Sequence, residues 1–122
     1  MKTATMTPIR ILIADDHPIV VDGLCAVLST QPDFEVIGTA SNGEEALHKV
    51  SALHPAVLLL DLEMPRVDGV ETLRRLAADK IAVHTIIFTA FDTDDRIIDA
   101  VRAGAQGYLL KGAPREELFN AI

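Results

Sequence analysis

Five short runs of β-branched and aliphatic residues punctuate the chain: IRILIA (9–14), FEVIGTA (34–40), AVLLLD (56–61), HTIIFTA (84–90) and GYLLK (107–111). Most are apolar at consecutive rather than alternate positions, the pattern of a strand covered on both faces. Between them, apolar residues recur three and four positions apart, the helical period. Val20, Leu24, Val27 and Leu28 form such a stripe after Pro18, which suits a first helical position, and this helix is expected to reach about Thr30. Gln31-Pro32-Asp33 breaks it. Ser41 with Glu44, or Asn42 with Glu45, has the spacing of a capping box for a second helix, which Pro55 stops near Leu53. EMPRVDG (63–69) is loop chemistry, and Val70, Leu73, Leu76 and Ala77 mark the third helix. Asp92 is expected to cap a fourth, with Ile97, Ile98 and Val101 on one side and Gly104 at its end. Pro114 opens a fifth, with Glu116 and Glu117 in its first turn, where the helix dipole favours them. Alternating β and α units predict a parallel sheet with helices on both faces.

A chain of 122 residues fits one domain, here residues 9–122 behind a tail at 1–8. A domain of that size buries most of its unfolded surface without staples. The single cysteine, Cys25, sits among the apolar positions of the first helix and reads as core. It forms no internal disulfide, which accords with a reducing, cytoplasmic setting. The N-terminal MKTATMTPIR lacks the apolar stretch of a secretory signal, and no apolar run approaches the roughly 20 residues of a membrane helix. A net charge of −7, from 18 acidic and 11 basic residues, argues against this segment gripping nucleic-acid phosphates by itself. The last helix stops at Ile122 without a C-cap or a basic last turn, the ending expected of a cut through a longer chain.

In an open parallel sheet, ligands bind beyond the carboxyl ends of the strands. The first strand delivers Asp15 and Asp16 to that rim, the third Asp61, the fourth Thr89 and the fifth Lys111. Each alone is an ordinary turn, cap or surface residue. Together they concentrate three carboxylates, and two like charges about 4 Å apart repel by roughly 4 kcal/mol at an effective dielectric near 20. A divalent cation would offset that repulsion. Oxygen ligands without cysteine or a histidine cluster suit Mg²⁺ or Mn²⁺ rather than zinc. His17 reads as a loop or cap residue, and His48, His54 and His84 as surface or edge residues. Neither a GxxxxGK[ST] nor a GxGxxG motif is present.

ADDHP (14–18), LLLDLEMPRVDG (58–69), IIFTA (86–90) and AGAQGYLLK (103–111) together resemble the receiver domain of two-component response regulators. The variants DDHP and AGAQGYLLK are most similar to the NarL class, whose receivers precede a LuxR-type helix-turn-helix. The resemblance implies a flavodoxin-like, doubly wound sheet of five strands in order 2-1-3-4-5 with five helices. It implies that Asp61 accepts a phosphoryl group from a sensor histidine kinase, becoming 4-aspartylphosphate. Asp16, Asp61 and the Glu63 carbonyl would ligate Mg²⁺ directly, and Asp15 through water. Lys111, Thr89 and the backbone N–H groups of Glu63 and Ala90 would contact the phosphoryl group. Thr89 and Tyr108 would switch inward, reshaping the face of the fourth helix, fifth strand and fifth helix. A homodimer on phosphorylation and DNA binding through a separate C-terminal domain are implied, with no self-standing enzyme activity and no membrane.

Many receivers follow the lysine with proline, often in a cis peptide, whereas here Gly112 follows Lys111. A cis bond without proline costs about 2.5–4 kcal/mol. Glu63 and Phe91 flank the site, where they would tune the hydrolytic water, and the Glu63 carboxylate is also placed to lean toward the metal or the lysine. Three other readings stand beside this one: a stand-alone receiver acting by protein contacts, an unphosphorylated binding module and an aspartate-based phosphohydrolase. Degenerate receivers usually lose an acidic residue or the lysine, and this chain keeps them. Asp61-Leu62-Glu63 also lacks the Asp-x-Asp of the phosphohydrolases.

Overall fold

In the computed structural model, residues 7–90 and 95–122 are described. The expected cap Asp92, the flanking Phe91 and most of the tail lie outside them. The elements alternate: β1 (Ile9–Ala14), α1 (Pro18–Leu28), β2 (Phe34–Ala40), α2 (Gly43–Leu53), β3 (Val57–Leu60), α3 (Gly69–Ala78), β4 (His84–Thr89), α4 (Asp95–Arg102), β5 (Gly107–Leu110) and α5 (Arg115–Ala121). All strand pairs are parallel, and the sheet order is β2-β1-β3-β4-β5. This is the doubly wound arrangement the sequence predicts.

The consecutive apolar residues of the strands serve two cores in alternation, because successive side chains point to opposite faces. Ile11, Ile13, Val57, Leu59, Ile86 and Phe88 pack on one face with Leu24 and Leu28 of α1 and Leu118 of α5. Leu12, Ala14, Leu58, Leu60 and Ile87 pack on the other with α2, α3 and α4. Parallel strands need crossovers, and helices on both faces supply them.

Local interactions set the element ends, choosing between the two capping boxes for α2 and shortening α1. Asn42, not Ser41, is the N-cap of α2, accepting from the Glu45 N–H at 2.8 Å. Glu45 returns the bond to the Ser41 N–H at 2.7 Å, which holds its carboxyl below the ordinary value. α2 turns at His54, in the left-handed region with φ 50°, one residue before Pro55. Proline disfavours helix in the residue before it. α1 ends at Leu28 with Ser29 as C-cap rather than at Thr30.

Two stripe assignments are corrected. Ala77 is exposed, and the inward side of α3 is Val70, Thr72, Leu73 and Leu76. On α4 only Ile97 of the expected trio is buried, with Ala100 beside it, while Ile98 and Val101 are 56% and 52% exposed. Ile97 to Ala100 and Ile98 to Val101 are both three-residue steps, so the period alone does not choose between them. Gly104, at φ 120°, follows α4 in the backbone region that only glycine enters without strain.

Candidate functional site

The strand ladder extends one residue past the ends of β1, β3 and β5 and so fixes the rim. The Asp15 N–H donates to the Ala40 carbonyl of β2 at 2.9 Å, the Asp61 N–H to the Ala14 carbonyl of β1 at 2.9 Å, and the Lys111 N–H to the Thr89 carbonyl of β4 at 2.7 Å. Each side chain therefore leaves a backbone held by the neighbouring strand. The β3–α3 loop is tied down by the Gly69 N–H, which donates to the Leu62 carbonyl at 3.0 Å. The Gly69 α-carbon packs so closely that an added Cβ would lie 2.6 Å from the Asp61 carbonyl oxygen.

These constraints bring Asp15, Asp16, Asp61 and Lys111 together. Asp15 and Asp61 are buried, at 3% and 4% exposure, whereas Asp16 is exposed. The Lys111 ammonium lies 3.0 Å from Asp15 Oδ2 and 3.5 Å from Asp61 Oδ2. Both Oδ2 atoms are buried and accept no aligned hydrogen bond, so the lysine serves them as a shared counter-charge. Buried polar atoms are ordinarily hydrogen-bonded, so these two oxygens, which share only the Lys111 ammonium, are under-satisfied and have room for a further cation or donor. Asp61 Oδ1 accepts from the Glu63 N–H at 3.4 Å, a long bond. Burial, and then the Asp15 charge, push the Asp61 carboxyl up from 3.8 to about 6, against the pull of Lys111.

Thr89 is buried on the rim, while Tyr108 is half-exposed with its ring on the outer surface of β5. Thr89, Ala90, Lys111 and Arg96 surround Asp61 in a cleft of about 200 Å³, together with His17 and Glu63. No peptide bond among the described residues is cis, so Lys111–Gly112 is trans.

Two features escaped the sequence. Glu63 does not lean toward the lysine: its Oε1 is 2.6 Å from a guanidinium nitrogen of Arg96 on α4, 33 positions further along the chain. The second concerns His17, which holds the N-cap position of α1 but makes no side-chain cap. Its Nδ1 turns into the acidic cluster, 2.9 Å from Asp15 Oδ1 and 3.1 Å from Asp16 Oδ1. The hydrogen bond with Asp15, and then the Asp16 charge, hold the ring above its ordinary value. The Asp-Asp-His triplet was the available signal, but the backbone turn before Pro18 decides where the ring goes.

Comparison with known proteins agrees with this architecture. The family model described as the response regulator receiver domain matches residues 11–122. The nitrate/nitrite response regulator protein NarL of Escherichia coli strain K12 is 37% identical over 115 residues, covering 94% of this chain and 53% of that protein. The transcriptional regulatory protein LiaR of Bacillus subtilis strain 168 is 41% identical over 114 residues, covering 93% of this chain and 54% of its own. The solved signal receiver domain of the putative response regulator NarL from Mycobacterium tuberculosis superposes with a TM-score of 0.89 at 32% identity, covering 93% and 92% of the two chains. The chain therefore belongs to the receiver domains of two-component response regulators, of the NarL/LuxR type. It spans about half the length of the curated relatives it matches. Receiver domains bind Mg²⁺ in an acidic pocket, and Asp15, Asp16 and Asp61 form such a cluster here. Response regulators interact with sensor histidine kinases. No helix among the described residues is long and apolar enough to cross a membrane.

Proposed function

We propose that Asp61 is the phosphoryl acceptor of a signalling switch whose donor is a phosphohistidine on a sensor kinase. The observation that carries this is the Asp61 carboxylate itself: buried at a strand end, with an oxygen free of hydrogen bonds and an ammonium 3.5 Å away. An Asp61 oxygen forms the new O–P bond as the kinase's N–P bond breaks, and the imidazole leaves neutral once its other nitrogen carries a proton.

Asp16, Asp61 and the Glu63 carbonyl would hold Mg²⁺, or Mn²⁺, with Asp15 acting through water. When bound, the ion neutralises charge on the group in flight. Lys111 neutralises the remainder and pairs with a phosphoryl oxygen. Thr89 and the N–H groups of Glu63 and Ala90 donate to the others. The backbone of Lys111 is already fixed by the strand ladder, so its charge is held on the acceptor's side before transfer.

Phosphorylation then biases an element with two arrangements, the inward movement of Thr89 and Tyr108. The readout surface is the side of α4, β5 and α5, where Ile98, Val101 and Tyr108 are exposed. The output is transcriptional, through a DNA-binding domain beyond this segment, with homodimerisation on phosphorylation. A receiver acting alone through protein contacts is the second reading. The domain turns over no separate substrate, and a cytoplasmic setting follows from partnership with a kinase.

Intact-protein mass after incubation with acetyl phosphate, with and without Mg²⁺, tests the reading in wild type and Asp61→Asn. A Mg²⁺-dependent gain of one phosphoryl group, absent from the variant, is the expected result. No gain under any condition overturns it in favour of an unphosphorylated binding module.

A further inference from the structure

His17 is the one side chain of the acidic cluster that the proposed chemistry leaves idle. Its Nδ1 and one oxygen from each of Asp15, Asp16 and Asp61 lie within 4.8 Å of one another. Nδ1 is 2.9, 3.1 and 3.9 Å from those three carboxylates in turn. Six ligands at about 2.1–2.2 Å from a central ion stand roughly 3 Å apart as neighbours and roughly 4.3 Å apart as opposites. The first two separations are those of neighbouring ligands, the third falls between the neighbouring and opposite spacings, and the 4.8 Å bound on the whole group is about half an Å beyond the spacing of opposite ligands. Asp61 Oδ2, on a side chain only 6% exposed, accepts no hydrogen bond and faces the ring at 3.9 Å, an unsatisfied buried oxygen on the same group.

The ring is not there by free rotation of a surface side chain alone. The His17 N–H donates to Asp15 Oδ1 at 2.9 Å, fixing the main chain three residues beyond β1. Pro18 confines His17 to extended backbone, observed at φ −100° and ψ 105°. A short tether and an extended residue direct the ring over the carboxylates, and its 59% side-chain exposure leaves the approach open to an ion.

We propose that His17 is a protein ligand to the bound metal through Nδ1, its Nδ1 proton passing to solvent as the metal replaces the hydrogen bond to Asp15, making this a mixed carboxylate–imidazole site selective for divalent transition metals over Mg²⁺. The inference rests on the metal reading given above. Mg²⁺ favours oxygen ligands and keeps its waters, so the imidazole adds little for it. Ions higher in the Irving–Williams series gain most from a nitrogen ligand, Ni²⁺ more than Mn²⁺.

The test is calorimetric titration of the chain with Mg²⁺, Mn²⁺ and Ni²⁺ separately, in wild type, His17→Ala and His17→Gln, with pulsed electron paramagnetic resonance of the Mn²⁺-loaded protein. The expected loss in both variants is at least about tenfold for Ni²⁺ and less than about twofold for Mg²⁺. The Mn²⁺ spectrum of wild type should carry an imidazole ¹⁴N coupling that both variants lack. Equal losses for all three metals, or no ¹⁴N coupling in wild type, overturn the proposal and leave His17 as a partner of the carboxylates only. Failure of wild type to bind any of the three overturns it together with the metal reading beneath it, so the two failures are distinguishable.

Discussion

The Lys111 ammonium is closer to Asp15, at 3.0 Å, than to Asp61, at 3.5 Å. The lysine is thus anchored on the carboxylate that is not the proposed acceptor. From there it reaches the acceptor at a longer distance, free to follow a phosphoryl group when one arrives. Without a metal it is also the principal counter-charge for two buried anions. Removing one member of a buried pair leaves the other uncompensated, a cost of about 3–5 kcal/mol when burial is complete. Lys111 retains 19% side-chain exposure, which argues for the lower end. Lys111→Met should therefore lose about 1–3 kcal/mol of stability at pH 8 in chelator, less at pH 5, and recover part of it in Mg²⁺. Urea titration under the three conditions measures this. The variant should still gain a phosphoryl group from acetyl phosphate while losing its switched state.

A second expectation concerns pH. The Asp61 carboxyl is pushed up to about 6 in the folded chain from 3.8. The folded state then binds this proton more tightly than the unfolded state does. Its contribution is fully present below pH about 4 and is lost as pH rises through 6. Asp61→Asn removes this titration. In chelator the variant should match wild type near pH 4 and exceed it by about 1–3 kcal/mol at pH 8. Saturating Mg²⁺ should narrow the gap, because wild type alone has the full ligand set. A stability difference independent of pH would show that Asp61 ionises without penalty.

The five strands were legible because a strand buried on both faces needs an unbroken apolar run, and IRILIA and AVLLLD have one. The rim was legible because parallel strands all end on the same side, so Asp15, Asp61, Thr89 and Lys111 had to converge. The inward side of α4 was not legible. Ile97, Ile98 and Val101 are all apolar, yet only the first is buried and the other two are exposed. Nor was the Glu63–Arg96 pair, which joins residues 33 positions apart through the packing of α4 beside the β3–α3 loop. His17 holds the cap position expected of it, but the turn of its ring into the acidic cluster was not legible, because composition gives no information on which way a ring turns at a helix start.

That long-range pair leads to a third expectation. Glu63 and Arg96 both border the cleft around Asp61 and are joined across it at 2.6 Å. Both are partly exposed, so the pair should contribute no more than about 0.5–1 kcal/mol to stability. Its effect should be kinetic, by restricting the approach of the water that hydrolyses the aspartyl phosphate. Glu63→Ala and Arg96→Ala should each shorten the phosphorylated lifetime by about three- to tenfold, which corresponds to about 0.7–1.4 kcal/mol in the barrier. The double variant should be no faster than the singles, since either change opens the pair. Phosphate release from the acetyl-phosphate-loaded protein is the measurement. Unchanged lifetimes would assign the pair to surface charge alone.

The last expectation tests how the fold holds the acceptor. Gly69 opens α3, and its α-carbon lies against the chain that carries Asp61. An added Cβ there would meet the Asp61 carbonyl oxygen at 2.6 Å and the Leu62 α-carbon at 2.9 Å. Both are backbone atoms that cannot rotate away, so the main chain after β3 has to move. Overpacking of this kind costs about 1–3 kcal/mol. The Asp61 N–H is fixed to β1, so the displacement falls on the loop that carries the Glu63 N–H and carbonyl. Gly69→Ala should therefore lose both stability and phosphorylation rate, and a stabilising background should not restore the rate. Gly112 is the control, because a Cβ there meets nothing within 4 Å. Gly112→Ala should leave stability within about 0.5 kcal/mol of wild type. If Gly69→Ala phosphorylates at the wild-type rate once its stability is restored, the close contact only packs the loop and does not position the site.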